Sequence, residues 1–546
     1  MTGDFYKSNL RQLVWNPAMG NRDTSQDGLG NRIESFFLQN FAPVWKFLNK
    51  TGWLGGRVNG LIVNRAVLRA KPRPHQFSTA TDYTSWVSLT DRHWSGRHLP
   101  PKVQPAGLKD EKATARIFLR PAASERQHSG KSTLLFASFA QWFTDSFLLT
   151  VDADRRQNYS NHQIDLNPLY GLTAEVTDQL RLKSNAQGRR GRLKSEIVDG
   201  EELAPRIFMP GTVVKKDEFC RVPLPLNAKF TQASEVFDNI FAFGGDRANT
   251  TPVTSAINIL FLREHNRLAG LIEKSHPDWE DDRVFETTRN ALIALLIKLV
   301  VEEYINHISP YWFKLRADPK VAWRARWNRP NWIAVEFNLL YRWHGLVPDV
   351  FGFDGQDIPV ANFILNNSIV FSHGVGKVLD QASRQKAGRL GLFNTAAPLL
   401  DIEERSIGQG RRNRLASYND YREAVGYPRV TDFKQISGDE DVVKGLTAVY
   451  DSVDDLEFFV GIFAEDTPAR AAVPPMIGRM VALDAFSQAL TNPLLSENVF
   501  NPETFSDDGW KVIHETSSLA DIVRRNTSTG QSWHISFDQL PRPTPP

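Results

Sequence analysis

One cysteine, Cys220, stands in a chain of 546 residues. No intrachain disulfide framework is possible, so the fold does not depend on an oxidising compartment. An excess of one charge is also missing. The 65 basic and 62 acidic residues leave a formal net charge of +3, too little to mark a nucleic-acid partner. Long apolar runs are absent: the most continuous, Ala291 to Val301, is interrupted by Lys298 and is too short to span a bilayer. The opening MTGDFYKSNLRQLVW lacks the apolar core of a signal peptide. These absences predict a cytoplasmic protein, soluble or held peripherally on the inner face of a membrane. No CxxC, HExxH, GxSxG or P-loop motif occurs, which removes the familiar zinc, hydrolase and nucleotide sites.

Aromatic residues are what the chain has in quantity, with 34 Phe and 14 Trp; such surfaces need a core or a ligand to cover them. Residues 1–31 are polar, and Asp23 to Asn31 reads as a flexible loop. Over 32–70, Ile33, Phe36, Phe37, Phe41, Val44, Trp45 and Leu48 recur at helical spacing. Pro43 divides this stretch into two short helices, and Lys46, Lys50, Arg57, Arg65 and Arg69 punctuate it. Periodicity favours a helical pair packed on the core over a monotopic patch lying in a membrane interface. Residues 71–540 form the main body, mostly helical after a Pro- and Ser-rich loop from Lys71 to Pro101. Helices are predicted over Leu134 to Leu149, from Thr254 as a cap, from Asp281-Asp282 to about Ile308, and over Trp332 to His344. Lys194 to Ile197, leading into Asp199-Gly200, is the best hairpin signal. The basic run Gly188 to Lys194 reads as a solvated loop, since no aromatic platform accompanies it. The tail, 541–546, is predicted to be disordered.

One segment carries chemistry. In EFNLLYRWH, Glu336 to His344, Tyr341 and His344 stand three apart, a spacing that places two side chains on one helix face. A neutral imidazole is a natural haem-iron ligand, and a phenol beside it would lie at the porphyrin edge. Spacing alone fits equally a histidine hydrogen-bonded within the core, the commoner fate of such a residue.

Several collinear blocks tip that balance. Thr254 to Ala269 (TSAINILFLREHNRLA) resembles the signature of the animal haem peroxidase superfamily. KSHPDWEDDRVFETTRNALIALLIKLVVEEYINHISPYWFKLRADP, which follows it, and EFNLLYRWHGLVPD are similar to cyclooxygenases, as are DYTSW (82–86), FILNNSIVFSHG (363–374) and SYNDYREAVG (417–426). The resemblance implies a mainly α fold with haem b, a membrane-binding helical segment before the catalytic domain, and a homodimer. By the same resemblance His344 is the iron ligand and Tyr341 the radical residue. Tyr311 matches the tyrosine at the mouth of a fatty-acid channel and Ser487 the serine within it. Arg65 or Arg69 would bind the substrate carboxylate, and Arg247 matches a haem-side arginine. His265 is structural in the family and is given no ligand role.

The chain departs from the pattern on the distal helix. Gln141 is kept, but Asp145 stands where the family has its catalytic histidine. That histidine takes a proton from peroxide and returns it to the leaving oxygen. An aspartate is shorter and ordinarily ionised at neutral pH, so it would oppose anionic peroxide. The adjacent His-Asp pair that accompanies the family's calcium site is missing too, so calcium is not expected. The family's disulfides and growth-factor-like module have no counterpart, which implies an intracellular relative. The leading expectation is a fatty-acid dioxygenase in which the Tyr341 radical takes hydrogen from a lipid and O2 adds. The alternatives are a peroxidase or hydroperoxide-rearranging enzyme, and a non-catalytic haem- or lipid-binding protein.

Overall fold

The computed structural model describes residues 33, 36–67, 83–121, 128–225, 237–329, 332–468, 470–527 and 532–539. The expected flexible segment 1–31, the tail 541–546, Arg69 and residues 71–82 of the predicted loop lie outside the described residues. What is described is mainly helical, as expected, with a few short two-stranded sheets, two of them hairpins.

Helical backbone at 36–39 gives way to α1 (Ala42–Lys50), which has Pro43 in its first turn, where its missing N–H costs nothing, so the predicted break falls there; α2 (Gly52–Val67) follows after Thr51. Asn59 in α2 fastens the pair to the body: its side chain accepts from the Arg316 N–H at 3.0 Å and donates to the Arg316 carbonyl at 3.1 Å. Phe37, Val44, Phe47, Trp53 and Leu61 stay exposed on the outer side. Among the described residues no helix is long and apolar enough to cross a membrane.

The core is built on three long helices. α3 (Leu134–Thr144) buries nine of its eleven residues and ends before the predicted Leu149. α4 (Pro252–Ser275) begins one turn earlier than expected, because Thr251 rather than Thr254 is the cap. The two threonines form a capping box, each side chain meeting the other's backbone N–H, which satisfies two otherwise orphaned donors. α5 (Asp281–Leu299) opens with two acids as predicted. The helical path reaches Ile308, but through a π-helical turn, Val300–Ile305. One extra residue in a turn rotates the following side chains, and such turns cluster at functional sites.

The apolar stretch Trp332 to His344 is not one helix. α6 covers only Val335–Leu340, Tyr341 is its C-terminal cap, and His344 opens a separate 3-10 turn, His344–Leu346. The tertiary setting ends it. Gly345 lies so close to the chain at Arg389 that an added Cβ would sit 3.0 Å from that carbonyl, and Pro348 disfavours helical backbone just before it.

The Asp199-Gly200 hairpin is as predicted, pairing Glu196–Val198 with Glu201–Leu203 through left-handed residues at φ 51° and 82°, the demand of a tight turn. The basic run Gly188 to Lys194 departs from the solvated loop expected. Arg190 donates to the Pro277 and Trp279 carbonyls at 2.5 and 3.1 Å, the Gly191 N–H meets Asp281 at 2.7 Å, and Gly191 and Leu193 are buried. Arg190 thus ties the run to the residues just before α5, while Lys194 pairs with Glu218 at 2.8 Å.

Candidate active site

His344 stands at the head of its 3-10 turn. Its Nδ1 lies 3.1 Å from Glu403 Oε1, on α7 (Leu400–Arg412). A carboxylate so placed accepts, so Nδ1 carries the proton and Nε2 keeps its lone pair. Nε2 makes no hydrogen bond among the described residues. The loop behind it is fastened by Arg120, which donates to Val347 at 2.9 Å, Asn394 Oδ1 at 3.1 Å and Asp349 at 2.5 Å. Asn394 in turn donates to the Gly345 and Arg389 carbonyls.

Tyr341 enters the aromatic core. Its ring stacks on Trp343 with centroids 4.9 Å apart and meets Phe337 edge-on at 5.1 Å. Its hydroxyl is buried and faces that of Tyr304, from the π-helical turn. The two sway each other's titration, yet neither makes a hydrogen bond of ordinary geometry. Burial raises both phenols above their ordinary pKa, so Tyr341 holds its proton at any physiological pH. Tyr304 lies inside the block EEYINH, whose likeness was visible in the sequence, yet it was not singled out there. Only the fold sets it against Tyr341.

On α3, Gln141 and Asp145 are one turn apart, with Asp145 as the helix's C-terminal cap. A carboxylate there meets the negative end of the helix dipole. Its side chain is 14% exposed, and Arg247 Nη1 lies 3.5 Å from Oδ1; the other oxygen, Oδ2, is buried without a partner. Burial dominates and pushes the Asp145 pKa up to about 7, against the opposing pull of Arg247. An ordinary ionised carboxylate, expected from residue type, is therefore not what the pocket holds. Arg247 is aimed by its bond to the Leu148 carbonyl at 2.9 Å. Arg342, buried between these groups and Glu403, is lowered to about 10, first by burial and then by Arg247 and Arg155. Cations gathered this way call for an anion among them.

A second feature is an apolar cavity bordered by Leu38, Ile62 and Ala66 on one side and by Ile305, Tyr311 and Phe486 on the other. Ile305 and Phe486 are the chain neighbours of Tyr304 and Ser487. Ser487 itself is buried, its hydroxyl donating to the Asp484 carbonyl at 2.9 Å. Arg65 sits on the exposed side of α2, between the two lining residues of that helix. The cation in the cavity's lining is Arg479, which donates to the Val425 carbonyl at 3.3 Å and has no carboxylate partner among the described residues. Of the residues singled out in the sequence, Asp145 meets Arg247, both face Arg342, the chain neighbour of Tyr341, and Tyr311 lines the cavity. Glu403 and Arg479 carried no spacing signal, being joined to the site only through space.

His265 is closed to ligands. It is fully buried, donates from Nε2 to the Gly191 carbonyl at 2.8 Å and accepts from the Tyr170 hydroxyl at 2.8 Å. Burial lowers its pKa to about 3, so it stays neutral.

The residues fit a haem. One imidazole has a carboxylate on Nδ1 and an unused Nε2, which suits an axial ligand, and the arginines Arg155, Arg247 and Arg342 suit its propionates. Residues 150–536 match the animal haem peroxidase family model. Prostaglandin G/H synthase 1 of Rattus norvegicus is 32% identical over 511 residues, which cover 90% of this chain and 80% of the relative. Among solved structures, fatty acid alpha-dioxygenase of Oryza sativa superposes with a TM-score of 0.64 at 17% identity, over 95% of either chain; a variant of it has been solved with palmitic acid. Peroxidase A of Dictyostelium discoideum does so with a TM-score of 0.64 at 18% identity, over 86% of this chain and all of that one. The chain belongs to the animal haem peroxidase family and is a haem-dependent oxidoreductase.

Proposed function

We propose that this protein is a fatty-acid dioxygenase in which Tyr341 carries hydrogen between lipid and product. The observation that carries this reading is the Tyr341 hydroxyl. It is dry, protonated and without a hydrogen bond of ordinary geometry, three residues from His344 and against the neighbour of a cavity-lining residue. His344 would hold a haem, with Arg155, Arg247 and Arg342 suited to its carboxylates, and the group would supply a one-electron oxidant when bound. A phenol that does not ionise gives up its hydrogen as an atom, and the aromatic walls of Phe337, Trp343 and Tyr304 keep water from quenching the radical. The Tyr341 radical takes a hydrogen atom from an activated carbon of the lipid. Dioxygen adds to the carbon radical, and the resulting peroxyl recovers the hydrogen from Tyr341, so that lipid and O2 yield a hydroperoxide.

A lipid substrate class is supported by the cavity and by the likeness to prostaglandin G/H synthase and fatty acid alpha-dioxygenase. Apolar walls suit an acyl chain, Arg479 suits its carboxylate, and Tyr311 lines the cavity, with Ser487 next in chain to the lining residue Phe486. Helix α2 lends Ile62 and Ala66 to the cavity, and the exposed apolar residues of α1 and α2 support peripheral contact with a membrane from which the lipid enters.

The test is oxygen uptake by the haem-loaded protein with saturated and unsaturated fatty acids. Tyr341→Phe keeps the ring packing and removes the O–H, and uptake should fall to background. Uptake equal to wild type would sink the assignment. A peroxidase is the second reading, favoured by the Asp145 carboxyl, which at about 7 is poised to exchange protons near neutrality.

A further inference from the structure

The side chain behind His344 is a carboxylate, and the fold goes to some length to hold it there. Glu403 lies in the first turn of α7, 1% exposed, where the positive end of the helix dipole favours a negative side chain. Its Oε1 receives two donors, His344 Nδ1 at 3.1 Å and Thr395 Oγ1 at 2.7 Å. Thr395 is itself fixed through its backbone, donating to the Phe118 carbonyl at 2.8 Å and accepting from the Arg120 N–H at 2.9 Å. Arg120 and Asn394, next in chain to these groups, also clamp the loop that carries His344. The ring and its carboxylate are thus set by one rigid frame, and the second carboxylate oxygen, Oε2, is buried with no partner to dilute the charge.

A hydrogen bond from a ligand imidazole to a buried carboxylate fixes the tautomer and makes the other nitrogen a stronger donor. We propose that Glu403 is the positioning residue of His344, orienting its ring and raising its electron donation so that the bound iron favours its oxidised states. This rests on the reading of His344 as the iron ligand.

The experiment is spectroelectrochemistry of the haem-loaded protein. Glu403→Gln keeps shape and one acceptor while removing the charge. Its ferric-to-ferrous equilibrium should move towards ferrous by at least tenfold, about 59 mV for a one-electron couple. Glu403→Asp should recover part of the wild-type value. A Gln variant that binds haem with an unchanged potential overturns the proposal. Should that variant fail to load haem, Thr395→Val decides the matter. Losing the competing donor should leave more charge for His344 and move the equilibrium the other way, by two- to threefold. No movement there overturns the proposal as well. His344→Ala separates the two inferences: a haem spectrum retained in that variant refutes the ligand assignment itself, independently of Glu403.

Discussion

Asp145 offers the sharpest test, because its chemistry differs from that of an ordinary aspartate by a calculable amount. The structure moves its pKa from 3.8 to about 7, chiefly by burial. A shift of about three units corresponds to about 4 kcal/mol. The folded protein binds this proton more tightly than the unfolded chain does. Its stabilising influence is therefore fully present below the unfolded value and is lost as pH rises through the window from about 4 to about 7. Asp145→Asn abolishes the titration while keeping the shape. Relative to that variant, wild type should lose roughly 2.5 kcal/mol of stability between pH 5 and pH 8. Chemical denaturation of both haem-loaded proteins at the two pH values measures this double difference, in which other titrating groups cancel. The catalytic counterpart is equally direct. A carboxylate acting as base is about one-tenth available at pH 6 and about nine-tenths at pH 8. Peroxide-driven oxidation of a dye should rise nearly tenfold across that interval and be flat in Asp145→Asn. A stability difference that does not change with pH, or an activity inflection below pH 5, would show that water reaches this carboxyl and that the burial argument is wrong.

Arg479→Leu should raise KM for a fatty acid by roughly ten- to a hundredfold, the loss expected for one charge-assisted pair, and leave KM for the methyl ester nearly unchanged; steady-state oxygen uptake distinguishes the two. Gly244→Ala would bring a Cβ to 2.0 Å from the Gly171 nitrogen and 2.4 Å from the Asn167 carbonyl. Because backbone must shift to admit it, about 1–3 kcal/mol of stability should go. The loop that presents Arg247 should move as well, seen as a changed Soret band on haem loading. The Tyr341→Phe and Glu403→Gln outcomes complete the set, reading oxygen uptake and iron potential respectively.

Much of the site was legible without coordinates because it lies in contiguous blocks. The run from Glu336 to Asp349 held both Tyr341 and His344, and Gln141 with Asp145 showed the replaced distal residue. Local rules also held where the chain is governed by its near neighbours. Pro43 parted two helices, Asp199-Gly200 closed a hairpin, and Asp281-Asp282 opened a buried helix. The misreadings came where distant segments intervene. The helix through Tyr341 ends early because Gly345 is pressed against Arg389. Arg190, within the basic run at 188–194, is taken up by the distant carbonyls of Pro277 and Trp279. Thr251 rather than Thr254 caps α4, a one-turn choice between two threonines that only the capping geometry makes.

The sequence by itself determined that this chain is a mainly helical haem peroxidase relative with one imidazole and one phenol three residues apart, since those facts reside in residue order. Tertiary structure decided what the groups are chemically. Burial, a property of everything packed around Asp145, turns an acid into a group that exchanges protons near neutrality. A carboxylate 59 residues from His344 becomes its partner, and a π-helical turn brings Tyr304 to Tyr341. A cation at the cavity comes from a helix near the C-terminus. Each depends on the field and solvent exclusion made by segments far apart in the chain, and no spacing rule encodes these.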